Sequence, residues 1–74
     1  MNVHVTRVSI PAWSSVGYGE GWTELPDGTT RMVTFVGDHR PMRNLGDALR
    51  DATEPLIADV PDWALQVGME VQPA

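Results

Sequence analysis

Apolar and polar positions follow a period of two in three stretches of the chain and a period near 3.6 in one. NVHVTRVSI (residues 2–10) is dense in β-branched residues and predicts a strand. Its alternation changes phase, because Val3 and Val5 share one face while Val8 and Ile10 fall on the other. Either both faces are covered, or a bulge near Thr6–Arg7 shifts the register. Further on, WTEL and TTRMVTFV flank Pro-Asp-Gly. Pro26 presets φ for the first turn position, Asp27 tolerates the second, and Gly28 takes the left-handed conformation. The expected element is a hairpin with a type I turn and a glycine bulge, in which Leu25 faces Thr29 and Trp22 faces Met32. A two-residue Asp-Gly turn, pairing Glu24 with Arg31, is the alternative register.

After Gly37 the period changes. In DHRPMRNLGDALRDATEP (residues 38–55), Leu45, Ala48, Leu49 and Ala52 stand at i, i+3, i+4 and i+7, one stripe of a helix. Pro41 in the first turn and Asn44 as N-cap with Asp47 three residues on are the two candidate starts. Pro55 sets the expected end by pushing Glu54 out of the helical region. Arg50 and Glu54 are spaced to attract, Asp47 and Asp51 to repel. PLIADVPD reads as an apolar connection with a turn at Pro61–Asp62. WALQVGMEV then alternates cleanly, with Trp63, Leu65, Val67, Met69 and Val71 on one face, as a half-buried strand does.

These elements predict a single α+β domain over residues 1–74: an antiparallel sheet of about four strands, in the order β-β-β-α-β, with one helix on one face. The stripe Leu45–Ala52 is expected to pack on Val33, Phe35, Val8, Ile10 and the apolar face of residues 63–71. Trp63, at the head of an alternating face, is expected in the core, and Trp22 also fits there. Trp13 and Tyr18 fit packing and display equally.

SSVGYGEG precedes the hairpin and places Gly17, Gly19 and Gly21 at alternate positions. By composition, residues 11–21 form a loop. The spacing is superficially similar to the loop that covers nucleotide phosphates in protein kinases, but that machinery needs a strand lysine and the chain has none. A dinucleotide fingerprint needs a helix directly after its glycines, whereas Trp22 opens a strand. The stretch is therefore expected to be a tether, either a plain crossing or an arm that displays Tyr18.

Composition narrows the function. A chain of 74 residues buries only ~60% of its unfolded surface, so oligomerisation or a partner is an open route to stability. Cysteine is absent, which removes disulfides and thiolate metal sites. The net charge of -5 opposes direct nucleic-acid binding. All five basic residues are arginine, as GC-rich codon usage would produce, and the size and composition look like those of a small accessory protein of a bacterium or phage. No apolar run reaches the ~20 residues of a membrane span, and MNVHVTRVSI lacks the parts of a secretory signal. A cytoplasmic location without membrane contact is the expectation.

No catalytic constellation, cofactor motif or metal-ligand spacing emerges. His4 and His39 are far apart in sequence, the acids are scattered singly, and Ser14-Ser15 lacks a nucleophile-elbow context. Two features suggest binding instead. Trp13, Tyr18 and Trp22 cluster within ten residues, and tryptophan and tyrosine dominate binding hot spots. Arg40 and Arg43 stand at the helix start, where anions are attracted. The leading expectation is a non-enzymatic interaction module that binds another protein or itself through residues 13–22 and the strand edge beside them, with Trp13, Tyr18, Trp22, Arg40 and Arg43 as partner-binding residues. Two alternatives remain: an acidic mimic of nucleic acid built on Asp38, Asp47, Asp51, Glu54, Asp59 and Asp62, and a homo-oligomer subunit with a shared ligand site.

Overall fold

The computed structural model describes residues 1–70, the side chains of 68–70 excepted. Chain order is β1 (Asn2–Ser9), β2 (Val16–Glu24), β3 (Thr30–Asp38), α1 (His39–Asp51), β4 (Leu56–Asp59) and β5 (Leu65–Glu70), with one 3-10 turn (Asp62–Ala64) before β5. The strands form one antiparallel sheet in the spatial order β4-β1-β2-β3-β5. This is the α+β class, and among the described residues one helix packs on a sheet of five strands instead of about four. The additional strand is β4, formed by LIAD within the expected connection. Four residues between Pro55 and Pro61 carry too little pattern to declare themselves, but they pair with β1 from Asn2↔Asp59 to Val5↔Leu56.

The phase change in β1 is resolved by a bulge. The register against β2 shifts between Val5 and Arg7, which turns Val8 and Ile10 onto the face already occupied by Val3 and Val5. The β2–β3 hairpin takes the expected turn. Leu25 N–H donates to Thr29 O at 2.8 Å, Gly28 N–H donates to Leu25 O at 2.9 Å, and Gly28 has φ +88°. Trp22 pairs with Met32, and the alternative Glu24–Arg31 pairing is absent. Asp27 Oδ1 accepts from the Thr29 amide at 3.0 Å and the Thr29 hydroxyl at 2.7 Å. Both bonds favour the ionised carboxylate, so they hold Asp27 below the usual carboxylate range.

The expected loop over residues 11–21 is mostly strand. β2 starts at Val16 and is paired along both sides, to β1 and to β3. It is central and has no free edge; the edges of the sheet are β4 and β5. Composition misleads here because glycine is depleted in strands, and its presence in β2 answers to the atoms crowded against each position. A Cβ on Gly17 would lie 2.6 Å from Met42 Cβ, one on Gly19 would strike the Phe35 ring, and one on Gly21 would strike the His4 carbonyl. Bare backbone lets Phe35 and Met42 lie flat on β2.

α1 starts at His39, so Pro41 falls in its first turn and Asn44 lies inside the helix. Asp38 makes no side-chain cap bond; His39 N–H instead donates to Ser15 O at 3.0 Å, which satisfies one of the orphan donors of the helix end. The helix stops at Asp51, before the expected limit near Pro55, and Ala52 N–H closes it on Leu49 O. Its inward stripe is Met42, Leu45, Gly46 and Leu49, while Ala48 and Ala52 are exposed. Arg50 reaches Asp47 (3.6 Å) and Asp51 (3.7 Å), and its expected partner Glu54 lies beyond the helix.

α1 lies over β1 and β2 and touches β3. Between helix and sheet Val3, Val5, Val33, Phe35, Met42, Val60 and Ala64 are buried, with Val8, Ile10, Leu45, Leu49, Leu56, Ala58 and Leu65 packed against them. Thr23 is buried too, and its hydroxyl donates to Asn2 O at 2.7 Å. Val60 and Ala64 enter this core as the chain passes from edge strand β4 to edge strand β5.

Candidate docking surface

Strand alternation sends Tyr18, Glu20 and Trp22 to the face opposite α1, since Gly17, Gly19, Gly21 and Thr23 are the buried set. Register then defines the rest of this open face as rows running across the strands. Ile57, His4, Trp22 and Met32 form one row. Arg7, Glu20, Thr34 and Gln66 form the next. Ser9, Tyr18 and Val36 form a third. Apolar rows therefore enclose a polar one.

Trp22 belongs to this face and not to the core. Its indole stacks on the imidazole of His4, with centroids 3.7 Å apart and planes within 3°. Tyr18 is 49% exposed, Met32 49% and Ile57 52%. Trp63, expected in the core, is 86% exposed. The 3-10 turn is the reason: Ala64 N–H donates to Pro61 O at 3.0 Å, and that period of three puts Ala64 inward where continued alternation would have put Trp63. Val67 is also exposed, while Leu65 packs against the core. The side chain of Met69 and all of Val71, expected on the same apolar face, lie outside the described residues.

Tyr18 joins two open depressions. One, of about 380 Å³, is lined by Tyr18, Thr34, Val36, Trp63 and Gln66 among others; its neighbour, of about 400 Å³, by Arg7, Ser9, Tyr18, Glu20 and Thr34. Both are open to solvent along the sheet. They suit side chains presented by another macromolecule better than a small ligand, whose sites bury most of its surface.

Of the five candidate binding residues, the fold brings Tyr18 and Trp22 together. Trp13 is fully exposed in the β1–β2 connection, which is short and tied by Ser14 N–H to Pro11 O, by Val16 N–H to Ser14 Oγ and by the His39 bond to Ser15. The tether reading is thereby replaced by a strand and an ordered turn. Arg40 and Arg43 are exposed on α1, in the other layer. Sequence reasoning missed His4, Met32, Ile57 and Trp63 as surface residues. The first three were within reach, since each shares a strand row with Trp22 once β2 is admitted as a strand.

Among the described residues no group of three or more His, Asp or Glu is placed to hold a metal ion, and no helix is long and apolar enough to cross a membrane. Comparison with protein-family models, with curated proteins and with solved structures found no match.

Proposed function

We propose that this chain is a non-enzymatic protein-interaction module that docks through the open face of its sheet. One observation carries the reading: a domain whose described residues bury seven apolar side chains keeps Tyr18, Met32, Ile57 and Trp63 in water on or beside one continuous face. Clustered apolar exposure of this kind marks interaction surfaces, and tyrosine and tryptophan are the residues that anchor them. The nucleic-acid-mimic reading has less support. Its acids are divided between α1 (Asp47, Asp51) and the β4 side (Asp59, Asp62), with Arg40, Arg43 and Arg50 among them.

The test is comparative capture from the source cell, followed by titration with the purified captured protein. Tyr18→Ser/Trp63→Ser is expected to weaken binding at least about thirtyfold, the size of one hot-spot truncation. Arg40→Glu/Arg43→Glu, in the helix layer, is expected to leave it unchanged. The reverse pattern overturns the proposal and returns attention to the helix start.

A further inference from the structure

Resting on that reading, we infer that the occupant of the open face is a second copy of this chain, packed face to face about a two-fold axis parallel to the strands and centred between β1 and β2. The strand register carries the inference. Such an axis reverses each cross-strand row onto itself, so β1 faces the partner's β2 and β4 faces its β3. In the apolar row, Ile57 comes opposite the partner's Met32, and His4 opposite the partner's Trp22. In the polar row, Arg7 comes opposite the partner's Glu20.

Charge selects this arrangement. Arg7 and Glu20 are cross-strand partners within the chain, yet they form no ion pair with each other, and both are exposed. The axis gives each an opposite charge across the interface, twice by symmetry. The face's lower rim behaves the same way. Asp59 comes opposite the partner's Thr30, and Glu24, by the same register, opposite the partner's Asn2. Two chains of net charge -5 thus meet with no carboxylate of these rows facing another. An axis along the polar row would instead stack Arg7 on Arg7.

Size agrees with a second copy. β1, β2 and β3, eight or nine residues long, with the four-residue β4 beside them, lie about 4.8 Å apart and present a footprint of roughly 15–20 by 30 Å, the same order as the ~800 Å² per partner of a standard interface. Isologous packing of this kind is the commonest form of homo-oligomer. Twisted sheets stack with strands about 30° apart, which a two-fold between them accommodates.

Sedimentation at about 1–100 µM tests the pairing. The wild-type chain is expected at twice its 8.1 kDa mass. R7E and E20R each create two like-charge contacts, and each is expected to raise the dimer dissociation constant at least about tenfold. Mixing the R7E and E20R chains restores every contact, as does the double variant R7E/E20R, so both are expected to dimerise. Circular dichroism establishes that each variant folds. Met32→Glu, opposite Ile57, provides an independent break if R7E does not fold. A wild-type monomer throughout this range overturns the dimer, as does a dimer indifferent to both swaps or singles that mixing fails to rescue. A monomer that still loses a captured protein on Tyr18→Ser/Trp63→Ser overturns the second copy alone and leaves the docking face standing. A dimer indifferent to the swaps, together with capture indifferent to Tyr18 and Trp63, overturns both.

Discussion

Alternate residues of β2 face opposite ways, and the two sets share no chemistry. Gly17, Gly19, Gly21 and Thr23 lie under α1 and the buried cluster, whereas Tyr18, Glu20 and Trp22 point away from them. On the covered face the constraint is space. Phe35 and Met42 occupy the volume that side chains on β2 would need, and glycine's conformational cost in a strand is accepted for that approach. On the open face no element among the described residues overlies the strand, and the side chains are large. A strand that looks like a linker by composition is therefore tightly specified on one side and permissive on the other.

The largest effects should come from filling the covered side. Gly21→Ala would drive a Cβ into the His4 carbonyl, with the carbonyl carbon at 2.9 Å. Backbone at a bulged strand has little freedom to retreat, so a loss of about 3 kcal/mol or more is expected, a large part of the stability of a domain this small. In Gly19→Ala the three atoms nearest the new Cβ all belong to the Phe35 ring. Its cost should be smaller and should be partly recovered in Gly19→Ala/Phe35→Leu, whereas no side-chain trimming should rescue Gly21→Ala. Urea denaturation of these variants, of Tyr18→Ala and of wild type checks this. Equal costs for Gly19→Ala and Tyr18→Ala would break the distinction between the faces.

Truncating one aromatic from each face sharpens it next. Phe35 is buried, and Phe35→Ala should cost about 3–5 kcal/mol. Trp63→Ala, at a residue 86% exposed, should change the stability of the isolated chain by no more than about 0.5 kcal/mol. Sequence alone assigns Trp63 to the core and so predicts comparable losses. Thermal melts at a concentration low enough to hold the chain monomeric decide between the two. A loss near that of Phe35→Ala would return Trp63 to the core.

What the chain declares locally and what it leaves to tertiary packing separate cleanly at particular residues. The Pro26-Asp27-Gly28 turn, the bulge beside Thr6–Arg7 (one of the two ways to read the phase change in β1) and a helix within residues 38–55 follow from short-range chemistry, and each is observed, the helix over His39–Asp51. Gly17, Gly19 and Gly21 read as a loop because their reasons for being small, Met42, Phe35 and the His4 carbonyl respectively, lie 16 to 25 positions away in the chain. Trp63 reads as buried because alternation was extended through a 3-10 turn that changes the phase. β4 was hidden by its four-residue length. The candidate docking surface was half legible: the aromatics were evident, but their shared face required knowing that residues 16–24 are strand.

The hairpin tip belongs to neither face and should show the smallest effect. Asp27 is fully exposed, and its carboxylate is held below its ordinary range first by the Thr29 hydroxyl and then by the Thr29 amide. Because the folded-state value is depressed, the stability this group contributes is present above the unfolded carboxylate pKa. It is lost as pH falls through the lower, folded value. The Asp27 carboxyl should accordingly titrate by NMR below an unstructured aspartate, and Thr29→Ala should move its midpoint back upward. The melting difference between wild type and Asp27→Ala should narrow only on the acid side of the ordinary carboxylate range. An Asp27 midpoint unmoved by Thr29→Ala would show that the Thr29 hydroxyl is not what holds the charge.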